Sequence, residues 1–121
     1  MNTALIVEDS LTEQQILTEY LQDKGFRVSI ANSAEDAIAK INSNQPDIII
    51  LDVILPGRSG FEMCREVKSN PITRQIPIVL CSTKGSDLDK FWGLKQGADA
   101  YLSKPVIADE FVHTVRQLIG K

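Results

Sequence analysis

The sequence predicts an α/β domain built on a doubly wound, five-stranded parallel sheet in the order 2-1-3-4-5, with five helices. Short apolar runs alternate with amphipathic stretches five times along the chain's 121 residues, the pattern of a parallel sheet with helices on both faces. The third run, Ile48-Ile49-Ile50-Leu51, is apolar at consecutive positions and so reads as a strand covered on both sides. The right-handed crossover rule leaves few topologies for such strands, and this order fits the length.

The elements follow in turn. A first strand is predicted over 4–7, after which Ser10-Leu11-Thr12-Glu13 has the S-x-x-E form of a capping box. Its helix turns Ile16, Leu17, Tyr20 and Leu21 inward and stops at Gly25. A strand over 28–31 precedes Ser33, which starts a helix burying Ala37, Ile38 and Ile41, with Pro46 beyond its end. The strand over 48–51 runs into Asp52 and is closed off by the turn pair Pro56-Gly57. A third helix starts at about Gly60, buries Phe61, Cys64 and Val67, and ends before Asn70-Pro71. After a strand over 78–81, Ser86 caps a helix whose apolar positions are Leu88, Phe91, Trp92 and Leu94 and whose stop is Gly97. Trp92 reads equally as an exposed aromatic and as one packed on the sheet. The last strand covers 100–102, and the final helix carries Phe111, Val112, Val115, Leu118 and Ile119 to Gly120-Lys121.

Composition narrows the function. With 43% hydrophobic and 24% charged residues the chain reads as one soluble domain over 1–121, with no output domain expected. A net charge of −3 without a basic stripe argues against nucleic acid. Cys64 and Cys81 lack the spacing of a disulfide scaffold or zinc site, and read as small buried hydrophobes in a reducing compartment. The N-terminus has neither a positive n-region nor a long apolar stretch, so a cytoplasmic protein without a membrane segment is expected.

In a doubly wound sheet the site lies at the carboxyl ends of the strands where their order reverses, here between strands 1 and 3. Glu8-Asp9 follows strand 1 and Asp52 follows strand 3, which gathers three carboxylates there. Singly, Glu8 and Asp9 would read as helix caps and Asp52 as a turn cap. Together on one rim they repel unless a cation neutralises them, and a few hard oxygen ligands suit Mg²⁺ better than zinc or a calcium cage. Lys104-Pro105 follows strand 5 and Ser82 follows strand 4, on the same rim. Alone, Lys104 reads as a surface lysine before a turn proline and Ser82 as a cap. A carboxylate nucleophile, a metal, a hydroxyl and an ammonium together suit acceptance of a phosphoryl group.

An acidic pair after strand 1, an Asp before a Pro-Gly turn, a Ser after strand 4 and Lys-Pro after strand 5 occur in order, and with them the whole chain resembles the receiver domain of bacterial two-component response regulators. That family has the flavodoxin-like sheet order already inferred. The resemblance implies that Asp52 accepts a phosphoryl group from a phosphohistidine of a sensor histidine kinase. It implies Mg²⁺ bound by Asp9, Asp52 and the backbone carbonyl of Ile54, with Glu8 acting through water. Lys104 would pair with the phosphoryl oxygens, and Lys104-Pro105 would be a cis peptide. Ser82 would move toward the phosphoryl group and Tyr101 would swing inward, changing the face of helix 4, strand 5 and helix 5 that binds a downstream target. On its residues alone, Tyr101 reads as a half-buried strand aromatic.

Two features depart from the commonest pattern. Thr83 is bulkier than the small residue often found there and is expected to restrict Tyr101. Apolar Ile54 and cationic Lys84 flank the approach of a hydrolytic water and are expected to alter the dephosphorylation rate. The chain resembles stand-alone receivers of chemotaxis, phototaxis or type IV pilus motility; Cys81-Ser82-Thr83-Lys84-Gly85 with Phe91-Trp92-Gly93 is similar to the pilus-linked group. A monomer or weak dimer without classical enzyme activity is expected, dephosphorylating itself slowly. The alternatives are a phosphate sink or relay without a dedicated target, a receiver that works without phosphorylation, and an Asp-nucleophile phosphatase. The complete acidic site argues against the second. The phosphatase would need an acid two residues beyond the nucleophile, where this chain has Ile54.

Overall fold

In the computed structural model, which describes residues 2–120, each apolar run becomes a strand. The elements are β1 (Thr3–Val7), α1 (Leu11–Gln22), β2 (Arg27–Ala31), α2 (Ala34–Ser43), β3 (Ile48–Asp52), α3 (Gly60–Ser69), β4 (Ile78–Ser82), α4 (Asp87–Lys95), β5 (Ala100–Ser103) and α5 (Ala108–Ile119). All pairings are parallel and the order is β2-β1-β3-β4-β5, as expected. β3 and β4 are buried at every position, whereas Arg27 and Ser29 of the edge strand β2 are exposed. The strands run slightly further than the apolar runs alone suggest, so Asp52 and Ser82 are the last residues of β3 and β4 rather than the first of a loop.

Alternation along each strand sends successive side chains to opposite faces and makes two cores. Leu5, Val7, Ile49, Leu51 and Leu80 pack with Ala37 and Ile41 of α2 and Met63, Cys64 and Val67 of α3. Ala4, Ile6, Ile48, Ile50, Val79 and Cys81 pack with Leu17 and Leu21 of α1 and Phe111 and Val115 of α5. Ser10, Ser33, Ser59 and Ser86 each cap a helix by accepting a backbone N–H, and the reciprocal box closes at Ser86 with Asp89 rather than at Ser10 with Glu13.

The helices bury a somewhat different set of residues from the one predicted. On α1 the buried positions are Gln14, Leu17 and Leu21, with Ile16 and Tyr20 half-buried. On α4 the structure decides between the two readings of Trp92. The apolar residues of this helix face outward, Leu88 64% exposed and Phe91, Trp92 and Leu94 each 50%. Gly93 is its buried position, so this helix meets the sheet through its backbone. Phe91 and Trp92 form an edge-to-face pair at 5.5 Å between ring centroids. No helix among the described residues is long and apolar enough to cross a membrane.

Candidate functional site

Register sets the site. Val7 pairs with Leu51 across β1 and β3, Asp52 with Cys81 across β3 and β4, and Ser82 with Ser103 across β4 and β5. The residues at or just past these pairs, Glu8, Asp52, Ser82 and Lys104, therefore line up along one edge of the sheet at the point where strand order reverses. Glu8 is 2% exposed and Asp52 8%, whereas Asp9 is exposed. Each of the three offers a carboxylate oxygen, all lying within 4.8 Å of one another.

Lys104 is the cation of this cluster. Its Nζ lies 2.5 Å from Glu8 Oε1 and 3.2 Å from Asp52 Oδ2. The second oxygen of Glu8 accepts the Ser10 N–H at 3.1 Å, and Asp52 Oδ1 accepts the Ile54 N–H at 3.1 Å. Burial pushes the Glu8 carboxyl up; the bonds from Lys104 and Ser10 oppose the shift without cancelling it, and the charge on Asp52 adds to it. Burial alone would push the Lys104 ammonium down, but the Glu8 and Asp52 carboxylates outweigh it and the net shift is upward. Lys104 therefore stays charged, and its one ammonium contacts two of the three clustered carboxylates, Glu8 and Asp52. A small, hard divalent cation fits that oxygen set and would relieve the Glu8 carboxyl that burial strains.

The other predicted residues sit close by. Ser82 is fully buried and its Oγ accepts the Lys84 N–H at 3.1 Å. The Tyr101 hydroxyl donates to the Lys84 carbonyl, so the Lys84 peptide is held on both sides. Burial pushes the Tyr101 phenol up, partly opposed by the neighbouring Ser82 hydroxyl. Tyr101 is 9% exposed, hence buried rather than half-buried. Thr83 is exposed. The Lys104-Pro105 peptide is cis. The Ile54 side chain is 50% exposed beside the acidic cluster, and Lys84 is also exposed. Cys64 and Cys81 are buried free thiols, pushed by burial up to about 11 and about 12.

Two supporting residues escaped the reading of the sequence. Gln14 Nε2 donates to the Glu8 carbonyl at 2.6 Å and to Asn32 Oδ1 at 2.8 Å, pinning the acidic turn after β1. A polar amide on the inward stripe of α1 was the available signal. Gly60 opens α3 against β3: its N–H donates to the Val53 carbonyl at 2.8 Å, and a side chain there would run into the Asp52 backbone. Glycine at a helix start looks like an ordinary terminus in the sequence, so nothing flagged that contact.

Comparison with known proteins agrees with this geometry. The family described as "Response regulator receiver domain" matches residues 4–116. Protein PilH of Pseudomonas aeruginosa is 35% identical over 120 residues, 99% of each chain. A putative response regulator from Chloroflexus aurantiacus superposes with a TM-score of 0.96 at 36% identity, over 99% of this chain and 98% of that one. The receiver domain of the sensor histidine kinase PA1611 from Pseudomonas aeruginosa, solved with a magnesium ion coordinated in its active site cleft, has a TM-score of 0.91 at 26% identity, covering 99% and 98%. Receiver domains bind Mg²⁺ at an acidic pocket, take phosphate from sensor histidine kinases and signal to downstream effectors; they are switches, not classical enzymes. The chain belongs to the response regulator receiver domain family, the phosphoacceptor switches of two-component signalling.

Proposed function

We propose that Asp52 is the phosphoacceptor of this switch and that a sensor histidine kinase is its phosphodonor. The observation that carries the reading is the convergence on Asp52 of one ammonium, at 3.2 Å, and two further carboxylates within 4.8 Å. Asp9, Asp52 and the Ile54 carbonyl would hold Mg²⁺, with Glu8 acting through water. When bound, the metal neutralises charge on the transferring phosphoryl oxygens.

Asp52 supplies the nucleophilic oxygen. Its bond to phosphorus forms as the phosphorus–nitrogen bond of the phosphohistidine breaks, and the bonding electron pair leaves with the imidazole. Lys104 already contacts Asp52 Oδ2 and is placed to pair with a phosphoryl oxygen. Glu8 holds Lys104 from the other side, so the ammonium is fixed before transfer. Ser82 is one bond from the Lys84 peptide, and Lys84 is one bond from Tyr101. A hydroxyl drawn toward the phosphoryl group would therefore be felt at the face of α4, β5 and α5.

The exposed Leu88, Phe91 and Trp92 on α4 favour a downstream protein partner on that face over a phosphate sink without a target. Similarity to PilH supports a role in pilus-linked motility. The chain acts in this reading as a single cytoplasmic domain, monomeric or weakly dimeric, with no nucleic-acid partner. It turns over no substrate: Ile54 stands where an Asp-nucleophile phosphatase carries its acid, and only slow self-dephosphorylation follows. The test is incubation with a small phosphodonor and Mg²⁺, followed by intact mass of wild type and Asp52→Asn. A single phosphate adduct on the wild type, absent from the variant, is expected; no adduct on either would overturn the proposal.

A further inference from the structure

Gly93 lies inside α4, where glycine is disfavoured relative to alanine. Its backbone does not call for glycine, since the positive-φ glycines are Gly25, Gly57 and Gly97. Contact does. A Cβ at 93 would stand 2.6 Å from Tyr101 Cδ2, 3.0 Å from Tyr101 Cε2 and 2.9 Å from Leu80 Cδ1. Carbon atoms in favourable contact are about 3.5–4.0 Å apart. The Tyr101 ring thus occupies the volume that a side chain on α4 would fill.

We propose that Gly93 is the positioning residue that seats Tyr101 inward. A side chain at 93 and an inward Tyr101 exclude one another, so the residue at this position sets which way the ring faces. Gly85 makes a similar approach eight residues earlier, in the loop before α4, where a side chain would meet Ser103 Oγ and Cβ. Both ends of the segment from Gly85 to Gly93 therefore close on β5 through glycine. Just before that segment the Tyr101 hydroxyl donates to the Lys84 carbonyl, and the Lys84 N–H donates to Ser82 Oγ. Displacing the ring would release the Lys84 carbonyl and shift the packing of α4, whose Phe91 and Trp92 lie on the opposite, exposed side.

This deepens the switch reading by assigning control of its output face, and it depends on that reading only for the signalling consequence. The test therefore uses no phosphodonor, so that a failure of Asp52 to take phosphate leaves its outcome unaffected. Nuclear Overhauser contacts between the Tyr101 ring and the Leu80 methyls are compared in wild type and Gly93→Ala. Overpacking of this kind is expected to lower the inward population about tenfold, and the contacts with it. Melting temperatures are then compared for Gly93→Ala in the wild-type and Tyr101→Ala backgrounds. With the ring gone, alanine should raise the melting temperature through its better helix propensity; with the ring present it should lower it or abolish folding. Undiminished Tyr101–Leu80 contacts in Gly93→Ala, or an equal rise in both backgrounds, would overturn the proposal.

Discussion

Replacing Lys104 by methionine keeps much of the side chain's volume and removes its charge. In the structure the Lys104 side chain is 8% exposed, that of Glu8 3% and that of Asp52 10%, so the pairs are sheltered from solvent screening. At an effective dielectric constant of about 20, contacts of 2.5 and 3.2 Å correspond to about 5–7 kcal/mol of attraction each. Desolvation of the three groups offsets most of that, and breaking a buried pair from one side costs about 3–5 kcal/mol net. In metal-free buffer near neutral pH, with a urea slope of about 1.5 kcal/mol per molar, the unfolding midpoint should fall by about 2–3 M. The pH dependence follows from Glu8, whose carboxyl already lies above its ordinary 4.5 and rises further without its ammonium partner. A carboxyl raised in the folded state contributes stability below its unfolded pKa and loses it as pH climbs through the folded value. The variant's deficit should therefore be smallest at and below pH 4.5 and grow as pH climbs above it, and Mg²⁺ should reduce it. The raised Lys104 pKa matters only above its ordinary 10.5, outside this window. Chemical denaturation at several pH values, with chelator or with Mg²⁺, reads all of this. A midpoint within about 0.3 M of wild type at neutral pH would refute the claim that Lys104 holds the cluster together.

Two further predictions follow. Ile54→Asn places an amide beside the acidic cluster where a half-exposed apolar side chain now stands. One oriented hydrogen bond to the attacking water is worth about 1 kcal/mol, so the acyl-phosphate lifetime should shorten about five- to tenfold. An unchanged lifetime on phosphate-release kinetics would show that Ile54 does not govern water access. The thiols of Cys64 and Cys81, pushed up to about 11 and about 12 by burial, should resist alkylation of the native protein at pH 8 and both react in denaturant. Because their folded values are raised, their contribution to stability persists below the ordinary 9.0 and fades above it, so stability should decline in strong alkali. Native labelling as fast as in denaturant would contradict the burial.

The sheet was legible because a run such as Ile48–Leu51 has only one comfortable place, between two helical layers, and a charge at its end can lie only on the rim. The order of strands then brought Glu8 and Asp52 together without any side-chain coordinates. The same reasoning did not decide α4. Leu88, Phe91 and Trp92 recur at helical spacing, which left Trp92 equally exposed or packed on the sheet; the stripe faces out because Gly93 brings the helix backbone against Tyr101 and Leu80. That contact joins residues on different elements, and no local pattern encodes it. Gln14 was missed for a related reason. An amide on a buried stripe looks misplaced until the Glu8 carbonyl and Asn32 accept its two hydrogens. Gly60 likewise becomes meaningful only once α3 is seen pressing on the backbone of Asp52.

The proposed switch requires that the buried carboxylate of Asp52, rather than Glu8 or the exposed Asp9, take the phosphoryl group. After incubation with a small phosphodonor and Mg²⁺, borohydride reduction converts an aspartyl phosphate to homoserine, and peptide mass mapping locates it. Homoserine is expected at position 52 alone, dependent on Mg²⁺ and strongly reduced in Lys104→Met. Homoserine at position 9, or none at position 52 when the intact protein carries a phosphate, would contradict it.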